Sequence, residues 1–217
     1  MNTAKLIHDT ILFVKQTLAD AEGGHDWFHI ERVYKNALLI AKSESCDTLV
    51  VQLGALLHDI ADSKFHGGDE TIGPRTARNF LESQHVAEEV IVHVVQIIEN
   101  ISFKGGKTKR KFSSIELDIV QDADRLDAIG AIGIARAFNY GGFKNRALYN
   151  PKVAPNLKMT KEEYKNSQAP TINHFYEKLL LLADKMNTKT GAAIAIKRHR
   201  YMENFLSQFY AEWEGEI

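Results

Sequence analysis

Residues 49–62 read Leu-Val-Val-Gln-Leu-Gly-Ala-Leu-Leu-His-Asp-Ile-Ala-Asp. A helix over about 48–61 would be apolar nearly all round, so its place is the centre of a helical fold. Its end then puts an imidazole, His58, and a carboxylate, Asp59, where water is scarce. Burying both is costly unless they pair with each other or bind an ion. On this segment alone, a hydrogen-bonded His–Asp pair and a cation site explain the residues equally well.

Most of the chain follows helical period. Ile7, Ile11, Val14 and Leu18 recur at three- and four-residue steps, which predicts an amphipathic helix over roughly 3–20. Asp26 suits the N-cap of a helix reaching about Glu44. Pro74 suits the first turn of a helix through Gln84. The Val- and Ile-rich run 86–101 is too long for a strand. Helices resume over 114–140 with a break near Gly130 or Gly133. Residues 141–169 read as a long ordered loop, followed by helices over about 171–186 and 189–213. Nothing alternates at period two, so the expected fold class is all-α.

The 217 residues are 44% hydrophobic, enough for one sizeable core and a single domain over 1–217 with a C-terminal helical extension at about 170–215. A formal net charge of -1 gives no general pull toward nucleic acid or anionic membrane. Cys46 is the sole cysteine, so no internal disulfide can form; this fits a cytoplasmic setting. Lys5, His8 and Asp9 interrupt any signal-like apolar stretch near the start. The run Leu179–Leu182 is far short of the ~20 residues a membrane helix needs.

Two further segments bear on the ion. Residues 119–128 place Asp122, Asp124, Asp127 and Arg125 in an otherwise apolar helix. Asp122 and Arg125 have the spacing of an i,i+3 ion pair, and Asp124 and Asp127 lie one turn apart. His29 falls in the first turn of the helix after Asp26. A lone helical histidine is more often structural than a ligand, so His29 gains weight only in combination. Two other His-Asp dipeptides have simpler explanations: His8-Asp9 as a solvated pair, His25-Asp26 as helix entry and capping.

The order His29, His58-Asp59, Asp124, in the settings His-x-x-Arg-Val and Ala-Asp-Arg-Leu-Asp-Ala, resembles the HD-domain superfamily of metal-dependent phosphohydrolases. The likeness covers about 25–140 at motif level. It extends toward a small stand-alone bacterial branch, the YedJ/YpgQ-like proteins, through Gly24–His29, Ile101–Gly105, Asn173–Leu179 and Glu212–Gly215. The resemblance implies a helical bundle with a metal-binding core at 25–140 and one divalent ion held by His29, His58, Asp59 and Asp124. Two imidazoles and two carboxylates leave room for water on a six-coordinate ion, which suits Mn²⁺ first, then Mg²⁺, Fe²⁺ or Ni²⁺.

Such an ion would bind a phosphate oxygen and acidify water. Asp62, one turn from His58 and Asp59, is the first candidate for a base, and Asp127 the second; support of the ligands is the competing role for both. Lys64 follows the doublet and is a candidate for catalysis and for phosphate binding. Arg125, Lys104, Lys107 and Lys178 are further substrate-binding candidates, with Arg198 behind them. Lys104 and Lys107 belong to the basic run 104–111, which otherwise reads as a solvated loop. His85 and His93, eight apart, have the spacing to share a helix face for a second metal, though one metal is the expectation.

A small phosphorylated molecule, above all a nucleotide, is the expected partner, with nucleoside triphosphate pyrophosphohydrolysis as the finer expectation. A nucleotide second-messenger hydrolase and a non-catalytic ligand-binding HD module are the alternatives. A nucleic-acid binder would rest on 104–111 alone, without an aromatic platform. Monomer and homodimer are both compatible with the sequence.

Overall fold

The computed structural model describes residues 2–19, 26–61, 69–101, 112–160, 163 and 166–217. Among them every regular element is helical, and no helix is long and apolar enough to cross a membrane. The chain divides into two compact units, Met1–Asp124 and Arg125–Ile217.

The first unit holds α1 (Thr3–Thr17), α2 (Trp27–Ala41), α3 (Thr48–Leu57), α4 (Ile72–Ser83), α5 (Glu88–Asn100) and most of α6 (Ile115–Asp127). Four starts are capped by side chains: Asn2 accepts from the Lys5 N–H, Asp26 from His29, Asp47 from Leu49 and Val50, and Ser114 from Leu117. Each cap satisfies a backbone donor that a helix N-terminus leaves open, stabilising it by about 1 kcal/mol. Helix α3 is the central element, packed against α1, α2 and α5. Val51, Leu53, Leu56 and Leu57 on it are fully buried, each worth roughly 1.5–3 kcal/mol of transfer from water. Gly54 lets α3 come close to its neighbours: a Cβ there would sit 3.2 Å from Ile97 and 3.5 Å from Val120.

The second unit holds α7 (Gly130–Phe143), α8 (Thr171–Glu177), two 3-10 turns (Leu179–Leu181 and Ala183–Lys185) and α9 (Lys189–Glu214). A cluster of rings runs through it around the buried Phe175. Phe138 of α7 lies 6.0 Å from Phe175 and 5.9 Å from Phe205, centroid to centroid, and Phe205 continues to Phe209. The break expected near Gly130 or Gly133 falls at Gly130, whose φ of 76° is the left-handed region that only glycine enters freely.

One expectation is corrected. Residues 171–186 do not form one helix. The backbone leaves α-helical geometry at Lys178 (φ -144°, ψ -56°) and continues as the two 3-10 turns. In a 3-10 turn residues three apart eclipse, so Leu179 and Leu182 both turn inward while Leu181 stays half exposed.

Candidate metal centre

Three helices of the first unit bring the residues together. His29 is the third residue of α2, and its backbone N–H is held by the Asp26 carboxylate at 3.0 Å. His58 closes α3 as its C-cap, with Asp59 directly after it. Asp124 lies in the last turn of α6. One ligand atom each from His29, His58 and Asp59 lies within 4.8 Å of the other two. Nε2 of His29 is 4.0 Å from Asp59 Oδ2 and 3.6 Å from Asp124 Oδ1. Nε2 of His58 is 4.0 Å from the same Asp124 oxygen. The two imidazoles meet edge to face at 5.3 Å.

The donor chemistry fits a divalent cation. Nδ1 of His58 lies 2.9 Å from the Ala55 carbonyl, an acceptor, so Nδ1 carries the proton and Nε2 presents a lone pair. Burial pushes the His58 pKa below its ordinary value; Asp124 and Asp59 pull it back up, and His29 pushes it down. The ring is therefore neutral at neutral pH, as a ligand must be. A lone pair on Nε2 facing a carboxylate oxygen is satisfied by a cation between them. Metal–donor distances of about 2.1 Å place neighbouring donors about 3 Å apart and opposed donors about 4.2 Å apart, which brackets the three imidazole–carboxylate separations of 3.6 to 4.0 Å.

The other candidates fall in several places. Asp127 is 1% exposed, and its Oδ2 accepts from Arg136 of α7, which also reaches the Asp127 carbonyl at 3.3 Å. The Arg125 guanidinium donates to the Lys185 carbonyl at 2.5 Å. Lys178 is half-buried at the end of α8, and its charge acts on His174. Asp62, Lys64, Lys104 and Lys107, with the rest of 104–111, lie outside the described residues, as does His25.

His85 and His93 do not share a helix face. His85 sits at φ 54° in the turn before α5, which begins at Glu88. A turn of left-handed backbone breaks the register that the eight-residue spacing assumes. His93 is on α5, with Nε2 2.9 Å from Ser114 Oγ and 3.4 Å from Glu116 Oε2.

Two participants escaped the sequence reading. Asn36 donates to the Ala123 carbonyl at 3.5 Å, linking α2 to α6 beside Asp124. Its signal was there: Asn36 is seven residues after His29, two turns along the same face. Arg136, the partner of Asp127, carried none, because nine residues and the helix break at Gly130 separate the two.

With this geometry in view, residues 27–129 match the model of the HD domain. The chain is 36% identical to the Bacillus subtilis protein YpgQ over 94% of its own length and 91% of YpgQ. An HD-superfamily hydrolase from Bacillus thuringiensis superposes with a TM-score of 0.80 at 43% identity, covering 98% of this chain and 99% of that one. Bacillus subtilis YpgQ in complex with ADP superposes with a TM-score of 0.78 at 34% identity, covering 98% and 97%.

Proposed function

We infer that this chain, which belongs to the HD-domain superfamily, is a metal-dependent phosphohydrolase of nucleotides. The observation that supports this is the cluster of His29, His58 and Asp59, whose ligand atoms lie within 4.8 Å of one another, with Asp124 Oδ1 3.6 Å from His29 and 4.0 Å from His58. The ADP in the YpgQ complex supports a nucleotide as the substrate class, and nucleoside triphosphates, cleaved to monophosphate and pyrophosphate, are the finer proposal. Mn²⁺ is the proposed ion.

When bound, a divalent ion supplies Lewis-acid charge at a phosphoryl oxygen and lowers the pKa of water. His29, His58, Asp59 and Asp124 would hold and orient it, the two carboxylates balancing its charge. In the proposed step a water oxygen bonds to the α-phosphorus and the P–O bond to the leaving pyrophosphate breaks. The water's proton passes to Asp62, three residues beyond Asp59 in the sequence. Lys64 and the cations of 104–111 balance the charge of the phosphate chain.

The test is a panel of nucleotides incubated with Mn²⁺, with products identified. Pyrophosphate from triphosphates supports the finer proposal. Stepwise release of single phosphate revises the bond cleaved, and turnover of second messengers alone selects the alternative hydrolase. Binding without turnover makes the chain a ligand-binding module. Asp62→Asn keeps side-chain shape but takes no proton, so turnover should fall ~10²–10⁴-fold with metal retained. Wild-type turnover in that variant removes Asp62 from the chemistry.

A further inference from the structure

The last turn of α6 is gripped by side chains in a way that metal ligation alone does not explain. A helix C-terminus leaves its final carbonyls without intrahelical donors. In α6 the Leu126 carbonyl accepts from Arg198 of α9 at 2.5 Å, and the Asp127 carbonyl and carboxylate accept from Arg136 of α7. Arg125 in turn donates to the Lys185 carbonyl of the second 3-10 turn. Cations at a helix C-terminus also face the negative end of its dipole. Charge-assisted bonds of this kind are about twice as strong as neutral ones.

The corner beyond has no slack. The stem of Arg198 lies against Gly130, where a Cβ would stand 3.0 Å from both Cβ and Cγ of the arginine. Gly133 is tighter still, with the Ala128 carbonyl oxygen 2.2 Å from where its Cβ would be. Asp124 sits three residues before Asp127 in the same helix. Its side chain is 41% exposed, against at most 18% for the other three ligands. Packing around its own carboxylate therefore restrains it least, and its place depends most on the helix that carries it.

We propose that Asp127, Arg136 and Arg198 form a positioning clamp on the last turn of α6 that holds Asp124 in place as a metal ligand. Asp127 is then a strut for the ligand set, with its carboxylate committed to Arg136. The proposal rests on the metal site inferred above.

The experiment uses the full-length chain and the metal alone. Mn²⁺ affinity is read by electron paramagnetic resonance of free and bound ion, and ligand geometry by the visible absorption of Co²⁺. Arg198→Met and Arg136→Met should each weaken Mn²⁺ about 10–100-fold, the usual cost of removing a group that orients a ligand, and should shift the Co²⁺ bands. Arg198→Lys should recover part of both. Lys197→Met, an exposed neighbour, should match wild type. If both methionine variants melt earlier but keep wild-type Mn²⁺ affinity and Co²⁺ bands, the clamp serves stability alone and the proposal is overturned. Should a methionine variant fail to fold, Arg198→Lys and Arg136→Lys decide by the same two readings. A wild-type chain that binds neither ion overturns the metal reading itself, a different result from wild-type binding in the variants.

Discussion

His58 in the first unit and His174 in the second are both driven toward the neutral form by burial, and their surroundings then part. Around His58 the carboxylates of Asp124 and Asp59 pull the pKa back up. Around His174 the cations Lys178 and Arg146 push it further down, to about 3. Burial alone does not distinguish the two; the sign of the charges around each imidazole does. Carboxylates beside a neutral imidazole favour a cation, whereas cations beside one keep it neutral throughout the physiological range. The same contrast runs through the packing. The first unit is built on an aliphatic helix whose polar end carries the candidate ligands, and the second adds a cluster of rings and guanidinium groups that donate to carbonyls.

The sharpest test removes a carboxylate from the His58 side. Asp59→Ala deletes a donor and a charge that balances the ion. Metal content should fall from one per chain to near zero by elemental analysis. Activity should drop about a thousandfold, equivalent to several kcal/mol of lost charge stabilisation. Full metal loading in this variant would place the site elsewhere and dissolve the distinction between the two histidines.

Packing distinguishes the units next. Gly133→Ala puts a methyl group on a backbone oxygen at 2.2 Å, which cannot move without unwinding the corner. A loss of about 3 kcal/mol or more is expected from denaturant melts. Gly54→Ala meets the far end of the Ile97 side chain at 3.2 Å, which can rotate. Its cost should stay near 1 kcal/mol, partly offset by the better helix propensity of alanine. Equal losses in the two variants would mean that α3 is as inflexible against its neighbours as the corner is against itself.

Acid separates the histidines directly. The unfolded chain takes a proton on His174 below about pH 6.5, and the folded chain refuses it until about pH 3. Stability is therefore complete above 6.5 and falls as pH drops through that window. At pH 4.5, two units below the unfolded value, the loss is on the order of 2–3 kcal/mol. His174→Gln should lack this component, so the pH 7 to 4.5 difference in unfolding free energy should shrink in the variant. An unchanged difference would show that His174 is protonated in the folded chain.

Much of this was legible in the sequence, and what was not has physical causes. His58-Asp59 stood out because an apolar helix makes a polar end conspicuous, and Asp124 because carboxylates interrupted apolar neighbours. Helix positions followed from period. The break at Lys178 did not, since a run of four leucines reads alike at 3.0 and 3.6 residues per turn. His85 was misplaced because an eight-residue spacing says nothing about the left-handed residue that resets the register. The arginine clamp was invisible for a further reason. A guanidinium on a long stem takes its partner from the tertiary structure, and Arg136 and Arg198 bond carbonyls that every residue possesses.

The smallest expected effect concerns where phosphate is recognised, and it sets the basic run of the first unit against cations of the second. Lys107, Lys109 and Arg110 follow Gly105-Gly106, and their charge matches a triphosphate better than a monophosphate. Neutralising all three should raise KM for a nucleoside triphosphate about fivefold, roughly 1 kcal/mol, with a smaller change for the monophosphate of the same nucleoside. That is the scale of exposed charge pairs, and it should shrink between low and moderate salt as screening shortens. A larger, salt-resistant shift would mean the run closes over the substrate and excludes water. Equal shifts for both substrates, or none, would make it a solvated connector and move phosphate recognition to Lys64, Arg125 or Lys178. Lys178→Met, measured on the same two substrates, then decides whether the cation beside His174 serves the substrate or only the fold.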